Sequence, residues 1–187
     1  LLFCHRGNGG RPKGRAIMSS NNRFLNDFAK TIDMRYFRPS LYRYLKDFLE
    51  IEKVREYNNQ YVVSTFIPPY PGKPFDRFMK TFFGGERRTL IQSADLAVTN
   101  GCIFNCWHCY NAGRKINDLS TEVLQDIVLR LQESGAIVIN FTGGEPCLRN
   151  DLPKICSALK DDSVGILATT GYGFTDGTAK QLKDTRV

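Results

Sequence analysis

The sequence predicts an α/β protein whose second half forms a parallel sheet with right-handed crossovers, preceded by a mainly helical region. Three observations carry this. From about residue 91 onward, short apolar and β-branched runs alternate with stretches of helical period, the pattern of successive βα units. Before residue 90, apolar residues recur at spacings of three and four. The charge balance changes at the same place. Residues 1–90 carry 17 Lys and Arg against 8 Asp and Glu, residues 91–187 carry 9 against 11, and the 187-residue chain has a net charge of +7. A composition 42% hydrophobic and 24% charged is that of an ordinary globular protein, which excludes a wholly disordered, collagenous or coiled-coil chain. No apolar run of about 18 residues is present, so no ordinary transmembrane helix is expected.

Taken in order, residues 1–17 hold Gly7, Gly9, Gly10, Pro12 and Gly14 among Arg and Lys, with no apolar period. This is expected to be a disordered extension ahead of Met18. Residues 18–90 form the basic helical region. Phe24, Leu25 and Phe28 share one helix face, with Asn21 or Asn22 as the N-cap. Pro39 opens a second amphipathic helix through Leu41, Leu45, Phe48 and Leu49, reaching about Tyr57. Tyr61–Phe66 reads as a strand. Pro68, Pro69, Pro71 and Pro74 then predict an extended connector, followed by a short helix over Asp76–Phe82 and a turn at Gly84-Gly85. The positive charges are spread along helical faces and form no block, so a solvated surface is expected and nucleic acid is not the expected partner.

Residues 91–187 hold three βα units. The strands are Asp95–Thr99, Ala136–Phe141 and Val164–Thr170. Ser120 caps a helix with Val123, Leu124, Ile127, Val128 and Leu131 on one face, and Gly135 follows its end. A second helix starts near Pro153, with Leu152, Ile155 and Leu159 on one side. The last runs from about Asp176 and carries Ala179 and Leu182.

Six cysteines occur, and Cys102, Cys106 and Cys109 crowd into the loop after the first of these strands. The spacing is too tight for a disulfide framework. Three thiolates can serve a 4Fe–4S cluster and leave one iron open. Zinc is the competing reading, since it accepts Cys₃His and His108 is close by. However, adjacent His108 and Cys109 rarely reach one tetrahedral ion from a simple loop. Cys4, Cys147 and Cys156 are expected to be ordinary free cysteines.

The run Cys102, Cys106, Cys109, followed one helix later by Thr142-Gly143-Gly144-Glu145-Pro146, resembles the radical S-adenosylmethionine (radical SAM) superfamily over roughly residues 92–175. The resemblance implies the N-terminal half of a partial (β/α)6 TIM-like barrel, with the core at residues 91–187. Such a barrel has six βα units and this chain shows three, so a chain truncated after the third unit, or a fragment of a longer protein, is expected. By resemblance, Cys102, Cys106 and Cys109 would ligate three irons of a 4Fe–4S cluster. S-adenosyl-L-methionine would chelate the fourth, its amino group held by Thr142, Gly143, Gly144 and Glu145, with His108 near the adenine. Reductive cleavage of that cofactor would generate a radical that abstracts hydrogen from a peptide, protein or cofactor-precursor substrate, and catalytic residues beyond this set are not assigned.

The residues are consistent with those roles. Both motifs follow strands and so meet at the carboxyl ends of a parallel sheet, where the sites of such folds form. Gly143 and Gly144 would leave room for a ligand against a free backbone, Glu145 would offer a carboxylate to an ammonium, and Pro146 would fix the turn. The plainer reading of this segment is a tight turn with a solvent-exposed Glu. Trp107 is expected either to shield the cluster or to be a partly buried aromatic. Thr170 stands where family members often carry Asn, so no specific contact is assigned to it. A one-electron reductant of flavodoxin or ferredoxin type and a cytoplasmic location follow from the labile cluster. The alternative is a non-catalytic iron–sulfur or zinc-binding module with a basic partner-binding region.

Overall fold

The computed structural model describes residues 19–31, 39–83, 91–113 and 117–187. The expected extension over residues 1–17, Cys4 and the Gly84-Gly85 turn lie outside the described residues. The first described unit comprises α1 (Ser20–Thr31), α2 (Pro39–Ile51), a β1 (Arg55–Tyr57) and β2 (Gln60–Val62) hairpin, and α3 (Lys73–Phe83).

Several boundaries differ from those the sequence predicts. Asn21 does not cap its own helix. Ser19 Oγ accepts the Asn22 amide at 3.3 Å, while the Asn21 side chain donates to Leu49 O (2.7 Å) and Glu52 O (2.9 Å) and accepts from Val54 N (3.0 Å). It thus satisfies the orphan carbonyls at the end of α2. That helix stops at Ile51 and does not reach Tyr57, because Arg55–Tyr57 pairs antiparallel with Gln60–Val62. Asn58 and Asn59 make the turn at φ 48° and 59°, a left-handed pair that asparagine tolerates. The strand expected over Tyr61–Phe66 is correspondingly short. Pro74 lies in the first turn of α3, where a missing amide costs nothing, so the helix begins earlier than the proline run suggests.

This unit packs on rings. Phe24, Phe28, Tyr61, Tyr70 and Phe75 are buried, and Phe24 meets Tyr61 and Tyr70 edge-on, both at 5.7 Å. Tyr61 donates its hydroxyl to Asp27 Oδ2 at 2.7 Å, and that bond, with burial, pushes the phenol up to about 12.

The second unit alternates as expected: β3 (Ser93–Thr99), α4 (Thr121–Glu133), β4 (Val138–Gly143), α5 (Leu152–Cys156), β5 (Val164–Leu167) and α6 (Asp176–Leu182). The strands form a parallel sheet in the order β3-β4-β5, with Leu96 opposite Phe141 and Val138 opposite Val164. Ser120 Oγ accepts the Val123 amide at 3.4 Å and Gly135 turns the chain at φ 108°, so both ends of α4 are built as the sequence predicts. Val123 itself is exposed, and Leu124 and Val128 carry the buried face with Val98, Ile139, Phe141, Leu152 and Ile155. The third strand ends at Leu167, so Thr169 and Thr170 lie beyond the ladder.

The aromatic unit meets this sheet through charge. Arg77 of α3 donates to Gln132 O at the end of α4 (3.2 Å) and to Asp162 (3.0 Å), and Lys73 reaches Asp161 at 3.2 Å.

Candidate metal and cofactor site

The loop between β3 and α4 brings Cys102, Cys106 and Cys109 to the carboxyl end of the sheet as free, exposed thiols. Residues 101–110 are exposed throughout. The loop's internal bonds include Cys109 N to Cys106 O (3.1 Å), Ala112 N to Cys109 O (3.3 Å) and Phe104 N to Cys102 Sγ (3.4 Å). Among the described residues, no three His, Cys, Asp or Glu side chains converge on one point as a single metal ion demands. A cluster asks for something different: each thiolate goes to its own iron, and soft sulfur donors without carboxylates are the set iron–sulfur chemistry takes. The donor chemistry of the loop fits that group.

His108 is exposed and meets Trp107 edge-on, ring centroids 5.0 Å apart. Trp107 is 95% exposed, so it is not the partly buried aromatic that was one expectation for it. Asn111 anchors the end of the loop, 7% exposed, and its Oδ1 has no hydrogen-bond partner among the described residues. Cys147 and Cys156 are buried, and burial pushes the Cys156 thiol up to about 12, which keeps it protonated.

The loop after β4 is built in the opposite way. Gly144 N donates to Thr99 O (2.7 Å) and Glu145 N to Gly101 O (2.8 Å), so the Gly144 amide, expected to be free, is bonded together with its neighbour to the start of the cysteine loop. The space the glycines leave is taken by backbone as well. A Cβ on Gly143, at φ 127°, would lie 2.2 Å from Thr99 O, and one on Gly144 would lie 2.1 Å from Gly101 O. Tyr110 closes the contact, its hydroxyl 3.2 Å from Thr142 Oγ1 and donating to Gly143 O at 3.3 Å. The two motifs are therefore adjacent, joined main chain to main chain.

Glu145 is fully buried, which overturns the solvent-exposed reading. Its Oε1 accepts from Cys147 N (3.1 Å) and the Thr169 hydroxyl, and its Oε2 from Thr170 N (2.8 Å) and Thr170 Oγ1 (2.5 Å). Burial alone would raise the carboxyl, but the bonds from Thr169, Thr170 and the Thr170 and Cys147 amides hold it below the usual carboxylate range. The carboxylate expected to face an ammonium is thus spent inward. Thr170, left without a contact by the sequence, supplies two of the four donors.

Sequence reasoning also missed the groups at the base of the cysteine loop. Arg149 Nη1 donates to Val98 O (2.8 Å) and to Leu119 O (3.0 Å), while Nε and Nη2 bond both oxygens of Asp151 at 2.8 and 2.5 Å. The Arg149 bonds hold Asp151 well below the carboxylate range, and the Thr121 hydroxyl adds to this. Asp118 accepts from Thr99 Oγ1 (2.5 Å) and Asn100 N (2.7 Å). The signal in the sequence was faint: an Arg and an Asp two apart at a helix start.

A family profile of the Radical SAM superfamily matches residues 96–187. A relative named "Probable GTP 3',8-cyclase" from Methanococcus maripaludis (strain C6) is 36% identical over 98 residues, 50% of this chain and 33% of the relative. An "Fe-coproporphyrin III synthase" from Methanosarcina barkeri is 34% identical over 91 residues, 46% of this chain and 23% of the relative. BtrN, solved in complex with AdoMet and 2-DOIA, aligns over 52% of this chain and 43% of that chain at 21% identity, with a TM-score of 0.43. The match spans about a third of the length of the cyclase relatives.

Proposed function

The chain belongs to the radical SAM superfamily through residues 96–187, and we propose on that premise that it forms the first part of a radical SAM enzyme whose cluster sits on Cys102, Cys106 and Cys109. The observation that carries this reading is the junction of the two motif loops at one end of a parallel sheet, Gly144 and Glu145 bonded to Thr99 and Gly101. Residues 18–90 form the lead-in and residues 91–187 the core.

When bound, a 4Fe–4S cluster and S-adenosyl-L-methionine supply one-electron cleavage of the sulfonium and hydrogen abstraction from a substrate. The residues of the chain position these groups. Three exposed thiols offer one sulfur to each of three irons. Thr142, Gly143, Gly144 and Glu145 would hold the amino group through hydroxyl and backbone carbonyl oxygens, since the Gly144 and Glu145 amides and the Glu145 carboxylate are spent on the fold. His108, next to the last cysteine, would lie near the adenine. The open exposure of residues 101–110 gives a flavodoxin- or ferredoxin-type reductant access to the cluster. A labile cluster of this kind is suited to the reducing cytoplasm. The relatives' names, a GTP cyclase and a coproporphyrin synthase, favour a small cofactor-like precursor over a peptide.

Anaerobic reconstitution with iron and sulfide, followed by dithionite and S-adenosyl-L-methionine, tests the proposal. Brown protein that releases 5′-deoxyadenosine is the expected result. A colourless zinc-bound protein would reject it in favour of a non-catalytic module.

A further inference from the structure

The cysteine loop belongs to neither apolar core, since residues 101–110 are exposed and no side chain among them is buried in the sheet's cluster. The spread of its thiols is therefore set where its ends are tied. Gly144 and Glu145 hold one side by main-chain bonds. The other tie is a side chain: one nitrogen of Arg149 reaches Val98 O, just before the loop, and Leu119 O, just after it.

We propose that Arg149 is a positioning residue for the three-cysteine loop, a clamp that closes its base and so fixes the separation of Cys102, Cys106 and Cys109. This deepens the cluster reading above and rests on it. The chemistry calls for arginine. Asp151 takes the guanidinium through Nε and Nη2, which aims Nη1 at the two carbonyls, and Thr121 at the start of α4 holds Asp151 in turn. A lysine ammonium cannot bridge a carboxylate and two carbonyls in that planar fork. The Arg149 side chain is 12% exposed, so these bonds are shielded from competing water. Asp118 backs the clamp from inside the loop by holding Thr99 and Asn100.

The test uses the full chain with Arg149→Lys, Asp118→Asn and a control, Gln132→Leu, which removes bonds to Val128, Ala158 and Lys160 at the far end of α4. Amide hydrogen exchange in the apo protein reads the loop directly. Arg149→Lys is expected to speed exchange at Asn100, Cys109 and Ala112 about tenfold while α4 and β4 keep their protection. Cluster loss to an iron chelator is expected to accelerate about tenfold in Arg149→Lys, less in Asp118→Asn, and not at all in Gln132→Leu at equal melting temperature. Wild-type exchange in the Arg149→Lys loop would overturn the clamp, and faster exchange without faster cluster loss would overturn its bearing on the thiols. If the wild-type chain takes up no cluster, the functional reading fails, and the exchange measurement alone decides whether Arg149 holds the loop.

Discussion

The loop after β4 and the loop after β3 lie side by side at the same end of the sheet, and they spend their polar groups in opposite directions. Around Gly143–Glu145, amides, a carboxylate and the space above two glycines are all consumed inside the protein. Around Cys102–Cys109, thiols, an imidazole and an indole face outward with a few weak turns between them. The buried loop is framework and the exposed loop is what the framework presents. A motif can therefore be essential for two different reasons, and stability measurements separate them.

The sharpest break in this contrast comes from Gly143→Ala. The new methyl group would strike the Thr99 backbone and force a left-handed conformation on alanine, an expected loss of about 2–5 kcal/mol in urea unfolding. Glu145→Gln comes next. One of its terminal atoms must then point an NH₂ at a backbone amide, costing about 1–3 kcal/mol in the same measurement. Replacing Cys102, Cys106 or Cys109 by Ser should leave apo stability within about 0.5 kcal/mol, as for surface positions generally, while iron per chain after reconstitution falls steeply. A loss of stability from those serines as large as that from Gly143→Ala would erase the distinction.

Acid supplies the gentlest probe. Glu145 and Asp151 both titrate below their ordinary values in the folded chain. Groups depressed in this way contribute stability that is complete above their unfolded pKa of about 4 and is lost as pH falls through the folded value. No change is expected near pH 7. Below about pH 4 the wild type should lose stability more steeply than Glu145→Gln, which has no such proton to take up.

The alternating units, the parallel sheet and the Ser120 cap were legible in the sequence because each rests on local signals: period, cap residue and a glycine after the helix. The hairpin was hidden, since Arg55-Glu56-Tyr57 continues a helical pattern until Asn58 and Asn59 reverse the chain. At the site, the cysteine spacing and the glycine pair could be read directly, as could their meeting at one sheet end. The uses of Glu145, Thr170 and Arg149 could not, because each depends on partners twenty or more residues away that only the packed sheet brings near. The glycine pair could be singled out from the sequence; that it also admits a neighbouring chain segment could not.

Arg77 crosses from the aromatic unit to a carbonyl in the last turn of α4 and to Asp162, with the exposed pair of Lys73 and Asp161 beside it. Contacts of that kind weaken as dissolved salt screens them, whereas the ring cluster and the aliphatic sheet core do not. Ionic strength thus becomes a dial on cooperativity: dilute buffer should melt both units in a single calorimetric peak, and concentrated salt should draw that peak apart into two.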